Sequence, residues 1–419
     1  MQLAPLKNLF RRTAPGAYAA LDIGTEYAKA LVFSVEDGKG TVLGIGRHRQ
    51  SQSAMQDGLI TDIEAVVQHC HAALSQAEEM AGVVGKHAIV GLAGELVKGM
   101  STTITVEREH PTEKLDLEEI EHVMERVQRL ALERVTERLT WEMGLPSVDV
   151  RLVNTAVVAI KIDGHQISNP VGFQGRHLQI SVFNAFAPLV HVGASETIAR
   201  LLSLELLSVV AEPYAVASCL DSPAAIELGG IFIDVGGGTT DVALVRNGGI
   251  EGTQSFALGG RAFTRRLAID QGLSLEEAEE LKLRYARKET TPAQTREVRK
   301  ALDRDVTTWM DGVQLILEEL AGDGQLPPYV YLCGGASALP DIMERLKAFP
   351  WTERLPCPRP AQITVLKPSD VSSMTDASGG LVDQQDMTPL GLAFQVLALQ
   401  RQSSLINEAL VRAVRMLKL

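Results

Sequence analysis

Several features that would identify common protein classes are missing from this sequence of 419 residues. Only four cysteines occur, and no two of them form a CxxC pair. This excludes a disulfide framework and a structural zinc site, and it is typical of a reducing cytoplasm. There is no run of about 18 apolar residues, so no segment is predicted to span a bilayer. The formal net charge is −12, which argues against a protein that coats nucleic acid, because such binding needs a concentrated basic face.

Two common nucleotide-binding motifs are missing as well. No GxxxxGK followed by Ser or Thr is present, and no GxGxxG opens a helix after the first predicted strand. The stretch "IDVGGGTTDVALV" at 233–245 offers a different phosphate site. Gly236, Gly237 and Gly238 expose backbone N–H groups at a hairpin turn, and Thr239 adds a hydroxyl. Concave arrays of this kind bind phosphate oxygens, although a glycine triplet alone is equally typical of a flexible turn.

A second segment repeats this plan about half a chain away. "LDIGTEYAKALVF" at 21–33 is again a strand, Asp-x-Gly, a turn and a strand, and 18–49 is predicted to form a hairpin at Gly24 with a third strand behind it. Asp22 and Asp234 precede the two turns and are suited to a hydrated Mg²⁺, which prefers one or two carboxylates with water and phosphate. The repeat predicts an α/β protein of two lobes with a nucleotide between them.

Two further segments could complete such a site. In "YLCGGASALP" a strand ends at Cys333, and Gly334 and Gly335 would let an adenine or ribose approach the backbone. The alternative is an ordinary strand-to-helix turn. In "AEPYAVAS" Glu212 precedes a proline and could hold a water near the γ-phosphate, although Glu-Pro is also a common helix opening.

The remaining pattern predicts the other elements along the chain. Strand character is predicted for 18–49 and returns at 87–105. Helices are predicted, with their apolar stripes, at 61–81, within 107–145, and at 193–209, 273–321 and 389–419. Residues 367–386 are predicted to be loop.

The order of the motifs "DIGT", "AEPYAVAS", "DVGGGTTD", "LGG" and "CGGAS" resembles that of the actin and heat-shock-chaperone ATPase superfamily. "ISNPVGFQGRHLQISVFNAF" and "LGGRAFTRRLAIDQGLSLEEAEELKLRYA" are similar to segments of the bacterial FtsA family. The resemblance covers nearly the whole chain. It implies a two-lobed actin-like fold of duplicated ribonuclease-H-like domains, with an FtsA-type inserted subdomain.

This resemblance also implies a division of the chain into lobes. The expected units are a basic leader at 1–16, a first lobe at 17–86 with 191–228 and the C-terminal helix, an inserted subdomain at 87–190, a second lobe at 229–265 and 328–400, a helical fourth subdomain at 266–327, and a terminal amphipathic helix at 401–419.

Roles follow from the resemblance only where the residues match. Phosphate contacts are implied for Gly24, Thr25, Gly236, Gly237, Gly238 and Thr239, with Gly259 and Gly260 of "LGG" beside them. Ribose and base contacts are implied for Glu279, Lys282, Gly334, Gly335 and Ala336. Asp22 and Asp234 would hold Mg²⁺, and Asp234 with Glu212 would position the attacking water.

One position departs from the family. Glu26 stands where FtsA-like chains often have Thr or Ser, so its carboxylate would either repel the γ-phosphate or point away. Lys29 stands where the related PilM-like chains carry a lysine, which predicts that it contacts phosphate and that ATPase activity is weak at most.

The function implied is that of an ATP-binding actin homologue that polymerises at the inner membrane face and links a ring of an FtsZ-like tubulin homologue to the membrane. The alternative is a PilM-like scaffold of type IV pilus or secretion machinery. A sugar kinase is disfavoured because no catalytic aspartate is apparent.

Membrane contact is expected either from 403–419, whose stripe includes Ile406 and Leu410, or from the basic leader. Packing of the terminal helix on the protein itself is the competing interpretation. Contact with an acidic FtsZ peptide is expected on the helical fourth subdomain, at Arg284, Arg287, Lys288, Arg296, Arg299 and Lys300.

Overall fold

The computed structural model describes residues 16–220, 228–246, 248–401 and 405–417. In chain order, the strands of these residues are β1 (Ala17–Ile23), β2 (Tyr27–Glu36), β3 (Lys39–Arg49), β4 (Met55–Gln56), β5 (Leu59–Ile60), β6 (His87–Leu92), β7 (Lys98–Glu107), β8 (Val150–Ile162), β9 (His165–Gln166), β10 (His177–Pro188), β11 (Glu205–Ala211), β12 (Gly230–Val235), β13 (Thr240–Arg246), β14 (Gly249–Phe256), β15 (Tyr329–Cys333), β16 (Gln362–Val365) and β17 (Met374–Asp376).

The α-helices of the same residues are α1 (Ile63–Ala81), α2 (Leu117–Met143), α3 (Leu189–Leu201), α4 (Glu212–Cys219), α5 (Gly260–Gln271), α6 (Leu275–Ala286), α7 (Pro292–Ala321), α8 (Pro340–Ala348), α9 (Trp351–Arg354), α10 (Met387–Arg401) and α11 (Leu405–Met416).

The first lobe is a six-stranded sheet in the order β11-β6-β1-β2-β3-β17. β1 and β2 form the predicted antiparallel hairpin, while β6 pairs with β1 in parallel. Alternate residues of β1 enter different cores: Leu21 packs toward α1, whereas Ala20 packs toward α4 and α10. Since both faces are covered, β1 is almost continuously apolar. Helix α1 begins where the Asp62 carboxylate accepts a hydrogen bond from the Ala65 N–H.

The second lobe repeats the strand order of the first. Its core strands run β16-β15-β12-β13-β14, and the first lobe reads β11-β6-β1-β2-β3 in the same direction. In each lobe a three-stranded antiparallel unit is followed by two parallel strands. This matching topology confirms the predicted duplication and the two-lobed α/β fold. Helices α4 and α10 lie between the two sheets, and α5 and α7 cover the outer face of the second.

The inserted unit extends the sheet of the second lobe. β7 pairs with β14 at Gly99↔Thr253, and the order continues through β10, β8 and β9. Helix α2 packs on this extension. The boundary predicted at residue 87 is wrong, because β6 lies inside the sheet of the first lobe.

Two predicted elements differ from the structure. The helix predicted at 193–209 ends at Leu201, and β11 follows it as the edge strand of the first sheet. The pattern "ELLSVVA" suits a helix or a strand, and the segment forms a strand because it pairs in parallel with β6. The loop predicted at 367–386 contains β17, which pairs with β3.

Two predicted boundaries also shift. Helix α10 packs against β1, β2 and α4 of the first lobe, so the second lobe does not extend to residue 400. Helix α5 crosses the boundary set at 265, since one continuous helix links the second lobe to the predicted helical subdomain.

The terminal helix α11 packs on the inserted unit. Its apolar residues Ile406 and Leu410 are buried in one cluster with Ile120 and Val123 of α2, and Arg412 forms a 2.9 Å ion pair with Glu121. The apolar stripe expected to bind a membrane is therefore covered, and that expectation is wrong for residues 405–417. The basic leader lies outside the described residues except for Gly16. Within the ranges that the structure describes, no helix combines the length and the apolarity needed to cross a bilayer.

Truncation of Leu410 tests this packing. Leu410→Ala is expected to lower the free energy of unfolding by about 2–4 kcal/mol, because it removes buried methyl groups and leaves a cavity. Val411→Ala is the matched control, since Val411 is the exposed neighbour on the same helix, and it should change that free energy by less than about 0.5 kcal/mol. Urea titration measures both values, and equal effects would contradict the packing.

Candidate functional site

The two hairpin turns open into one cavity between the lobes. Its volume, including the part that opens to solvent, is about 1120 Å³. All but one of the predicted site residues line this cavity: Asp22, Gly24, Thr25, Lys29, Glu212, Asp234, Gly236, Gly237, Gly238, Thr239, Gly260, Glu279, Lys282, Gly334, Gly335 and Ala336. The structure thus brings together segments that are more than 300 positions apart along the chain.

Glycine allows the two turns to touch. A Cβ on Gly238 would lie 2.6 Å from Thr25 Oγ1, and a Cβ on Gly237 would lie 2.8 Å from the Cβ of Glu26. The Thr25 hydroxyl also accepts a hydrogen bond of 3.2 Å from the Gly58 N–H. A larger residue at either position would push the turns apart, which explains why glycine stands at 237 and 238.

Predicted residue Gly259 does not line the cavity. A Cβ at this position would lie 2.7 Å from the Gly236 carbonyl oxygen, and the neighbouring Gly260 N–H donates to that oxygen at 2.9 Å. Gly259 therefore supports the second turn from behind, and the expectation of direct ligand contact is corrected.

Lys29 neutralises one side of a carboxylate cluster at the base of the cavity. Its Nζ lies 3.0 Å from Asp22 Oδ2 and donates to the Gln385 carbonyl oxygen at 2.8 Å. Burial alone would lower the pKa of Lys29, but the charge and hydrogen bond of Asp22, with Asp234 nearby, outweigh it and raise that pKa. Lys29 is therefore a fixed cation in the floor of the cavity.

The other carboxyl groups of the cluster hold protons more tightly than free ones. Burial raises the pKa of Glu212 well above its usual range, and the charges of Asp22 and Asp241 add to this. Burial also raises the pKa of Asp234, although the Thr388 hydroxyl donates to Asp234 Oδ2 at 2.6 Å and opposes the shift. Negative charge in the floor is thus limited, which favours the entry of a phosphate tail.

Asp241 is a member of this cluster to which the sequence assigned no role. It stands opposite Asp234 in the β12–β13 register, and it accepts hydrogen bonds from the hydroxyls of Ser255 and Thr239. Burial and the charge of Asp234 raise its pKa to about 7. The available signal was the second aspartate of "GGGTTD", which the hairpin places on the strand opposite Asp234.

The raised pKa of Asp241 predicts a pH dependence of stability. Between about pH 4 and 7 the folded chain retains a proton that the unfolded chain has released, so this group makes stability fall as pH rises through that window and then level off. The slope is at most about 1.4 kcal/mol per pH unit. Asp241→Asn should flatten it, as measured by urea unfolding in EDTA at several pH values. An unchanged slope in Asp241→Asn would contradict the assignment.

The donor set fits a hydrated magnesium ion better than a metal held by protein alone. Within the ranges described, no group of three or more His, Cys, Asp or Glu side chains is arranged as a ligand set. Asp22 and Asp234 line the same cavity, and Asp22 already shares its charge with Lys29. One or two carboxylates with water and phosphate suit Mg²⁺, so these two residues would hold the ion once a phosphate tail is present.

The opposite wall of the cavity suits a base and a ribose. Lys282 Nζ contacts Glu279 Oε2 at 2.7 Å and the Gly260 carbonyl oxygen at 3.0 Å, which fixes both charged side chains of α6 against α5. Leu283 and Ala336 also line this wall and supply apolar surface. Helix α6 begins at a capping box, in which Ser274 and Glu277 bond reciprocally.

The structure also identifies contacts that depend on folding. Glu26 does not face the cavity floor: its carboxylate binds Arg49 and Arg261, each at 2.8 Å. Gln385 enters the site from the segment before α10, and Thr388 enters it from the first turn of that helix. No local motif marks these positions, because Thr388 meets Asp234 across a separation of 154 residues.

Comparison with known sequences gives consistent matches. The family described as "Cell division protein FtsA" matches residues 231–378. The chain is 30% identical over 269 residues to the cell division protein FtsA of Pseudomonas aeruginosa, and the aligned region covers 64% of this chain and 60% of that protein. It is 25% identical over 347 residues to FtsA of Bacillus subtilis, with coverages of 78% and 75%. The match thus spans less than two thirds of the Pseudomonas protein.

A solved structure shares the fold over most of the chain. The structure described as the PilM–PilN type IV pilus biogenesis complex superposes with a TM-score of 0.64, covering 91% of this chain and 98% of that one. At 18% sequence identity this likeness shows the fold alone, which is the actin-like ATPase fold predicted from the motifs. The resemblance in sequence is confirmed by the matches above: the chain is similar to cell division proteins of the FtsA family.

Proposed function

We propose that this chain binds ATP with Mg²⁺ in the cleft and acts as an FtsA-like link between a division ring and the membrane. The observation that carries the nucleotide site is the contact between the two glycine turns above Asp22, Asp234 and Lys29. The turns of both lobes and one buried ammonium line a single cavity, which is an arrangement suited to a polyphosphate.

Each part of the cleft has a distinct role in this proposal. The turns at Gly24 and at Gly236–Gly238 bind the phosphate tail, and Lys29 adds positive charge from below. Bound Mg²⁺ would offset charge on the phosphates. Glu279 and Lys282 orient the ribose and base. Glu212 would hold a water beside Asp234. Burial raises the pKa of Glu212 well above its usual range, so it holds its proton more tightly than a free carboxyl group, and hydrolysis is expected to be slow.

Gly238→Ala tests the nucleotide site. The new Cβ would collide with Thr25, so the affinity for Mg-ATP measured by isothermal titration calorimetry should fall about tenfold or more. Gly193→Ala is the matched control, because a Cβ there meets nothing within 4 Å. If the wild-type chain binds ATP and the Gly238→Ala and Gly193→Ala variants bind it equally well, this use of the turns is contradicted.

The division role rests on the family and on charge. Polymerisation and attachment to an FtsZ-like partner are proposed by analogy with that family. In the helical fourth subdomain, Arg287 pairs with Glu289 and Arg299 pairs with Glu344. Arg284 donates to the Glu289 carbonyl oxygen at 3.3 Å. This leaves Lys288, Arg296 and Lys300 as the better candidates for an acidic peptide. Replacing these three by alanine should abolish co-sedimentation with an FtsZ-like partner, and unchanged co-sedimentation would contradict the assignment.

Membrane attachment is proposed at the cytoplasmic face through the basic leader, because the apolar stripe of α11 is covered. Liposome co-sedimentation with Mg-ATP should be lost when residues 1–14 are removed. Leu410→Ala, which leaves the leader intact, should retain binding. Retention of binding without the leader would contradict this route.

A PilM-like scaffold is the second candidate. The observation in its favour is Lys29, which occupies the cavity floor as the PilM resemblance implies. Sequence matches favour the first candidate, since they name FtsA. Deletion of the gene distinguishes them: filamentous cells support the division role, whereas loss of pili with normal division supports the scaffold.

A further inference from the structure

Arg261 joins the two turns of the cleft. Its guanidinium reaches across to the first lobe, where Nη2 donates to the Thr25 carbonyl oxygen at 2.6 Å and Nε donates to Glu26 Oε2 at 2.8 Å. Nη1 donates to the Met55 carbonyl oxygen at 3.0 Å. Three donors of one planar group are therefore used on the first lobe, which is the geometry for which arginine is suited and lysine is not.

The backbone of the same residue is held by the second lobe. The Arg261 N–H donates to the Gly237 carbonyl oxygen at 2.7 Å, and Arg261 itself lies in the first turn of α5. A single residue thus bonds the glycine turn of one lobe through its main chain and the turn after Gly24 through its side chain. The distance between the two turns depends on the extended arginine side chain.

The surroundings make this link stronger than a surface ion pair. The side chains of Arg261 and Glu26 are 16% and 18% exposed, respectively, so solvent screens their charges only in part. Two of the three acceptors are backbone carbonyl oxygens, which cannot move without moving the main chain of the first lobe. Glu26 is also oriented by Arg49 from within its own lobe.

We propose that Arg261 is a positioning residue that sets the spacing of the two phosphate-binding turns, with Glu26 as its partner across the cleft. This inference rests on the proposed binding of ATP. Arg261 acts through the turns it holds, so its loss weakens the binding of the phosphate tail and leaves the binding of the nucleoside portion intact. The acidic residue after "DIGT" is then a structural partner and does not repel the γ-phosphate.

The test compares affinities for Mg-ATP and for adenosine in the full chain, measured by isothermal titration calorimetry. Arg261→Gln and Arg261→Lys should each weaken Mg-ATP binding about tenfold or more, as expected when hydrogen bonds to a charged group are lost, while adenosine affinity stays the same. Arg265→Gln is the matched control, since Arg265 is an exposed arginine one turn further along α5. It should bind both ligands like the wild type.

Glu26→Gln supplies a second route to the same answer. This change keeps the shape of the side chain, should weaken Mg-ATP binding in the same direction, and should add little to the effect of Arg261→Gln in the double variant. Wild-type Mg-ATP affinity in Arg261→Gln, or an equal loss of adenosine affinity, would overturn the positioning role. A wild-type chain that binds no ATP would instead overturn the proposed function.

Discussion

Gly334→Ala is expected to lower the free energy of unfolding by about 3 kcal/mol or more. Gly334 has a φ of +87°, which L side chains rarely adopt. A Cβ there would also overlap Asp234 Oδ1 and lie 2.5 Å from the Val235 carbonyl oxygen. Neither neighbour can move freely, because Asp234 accepts a hydrogen bond from the Thr388 hydroxyl and Val235 lies in the sheet. Strain and overpacking therefore add in the same substitution.

Gly335→Ala is the matched control for this prediction. The adjacent glycine has no positive φ, and its Cβ would meet only Gln385 Cβ, at 4.0 Å. We expect a change of less than about 1 kcal/mol in the nucleotide-free chain. Urea titration at one pH compares the two variants, and similar losses at both positions would contradict the geometry at the end of β15.

Lys29→Met is expected to destabilise the chain by about 3–5 kcal/mol, because it leaves the carboxylate of Asp22 buried without its cation. The side chains of Lys29 and Asp22 are 14% and 4% exposed, so water compensates little. Without the ammonium, the carboxyl groups in the floor bind protons more readily in the folded state. The loss should therefore shrink as pH falls, as measured by urea unfolding between about pH 5 and 8.

The double variant Lys29→Met/Asp22→Asn is the control for this second prediction. Removal of both charges should restore most of the lost stability, since a neutral pair needs no compensation. Neither variant should bind Mg-ATP normally. If the two substitutions simply add their costs, the buried pair is not the source of the effect.

Local chemistry explains why the core of the site could be predicted from the sequence. A strand, Asp-x-Gly, a turn and a strand specify a hairpin within about a dozen residues, so Asp22 and Asp234 could be placed at matching turns. The helix at 61–81 could likewise be predicted from its apolar stripe, with Thr61 or Asp62 as a possible cap. Both signals depend on neighbours along the chain, and the structure confirms both elements.

Features that depend on distant partners could not be predicted. β11 has a pattern that suits a helix or a strand until β6 lies beside it. Helix α11 has the amphipathic pattern of a surface-binding helix, and only the apolar face of α2 shows what covers it. The link from Arg261 to Glu26 joins positions 235 residues apart, and the chain neighbours of neither residue indicate its partner.

The central claim is that the two turns hold one nucleotide between the lobes. A crystal structure of the full chain grown with Mg²⁺ and a non-hydrolysable ATP analogue tests it most directly. We expect the β- and γ-phosphates to lie between Gly24–Thr25 and Gly236–Gly238, with the cation near Asp22 and Asp234 and the ribose beside Glu279. An analogue bound elsewhere, or a cleft without nucleotide at millimolar analogue, would contradict the account.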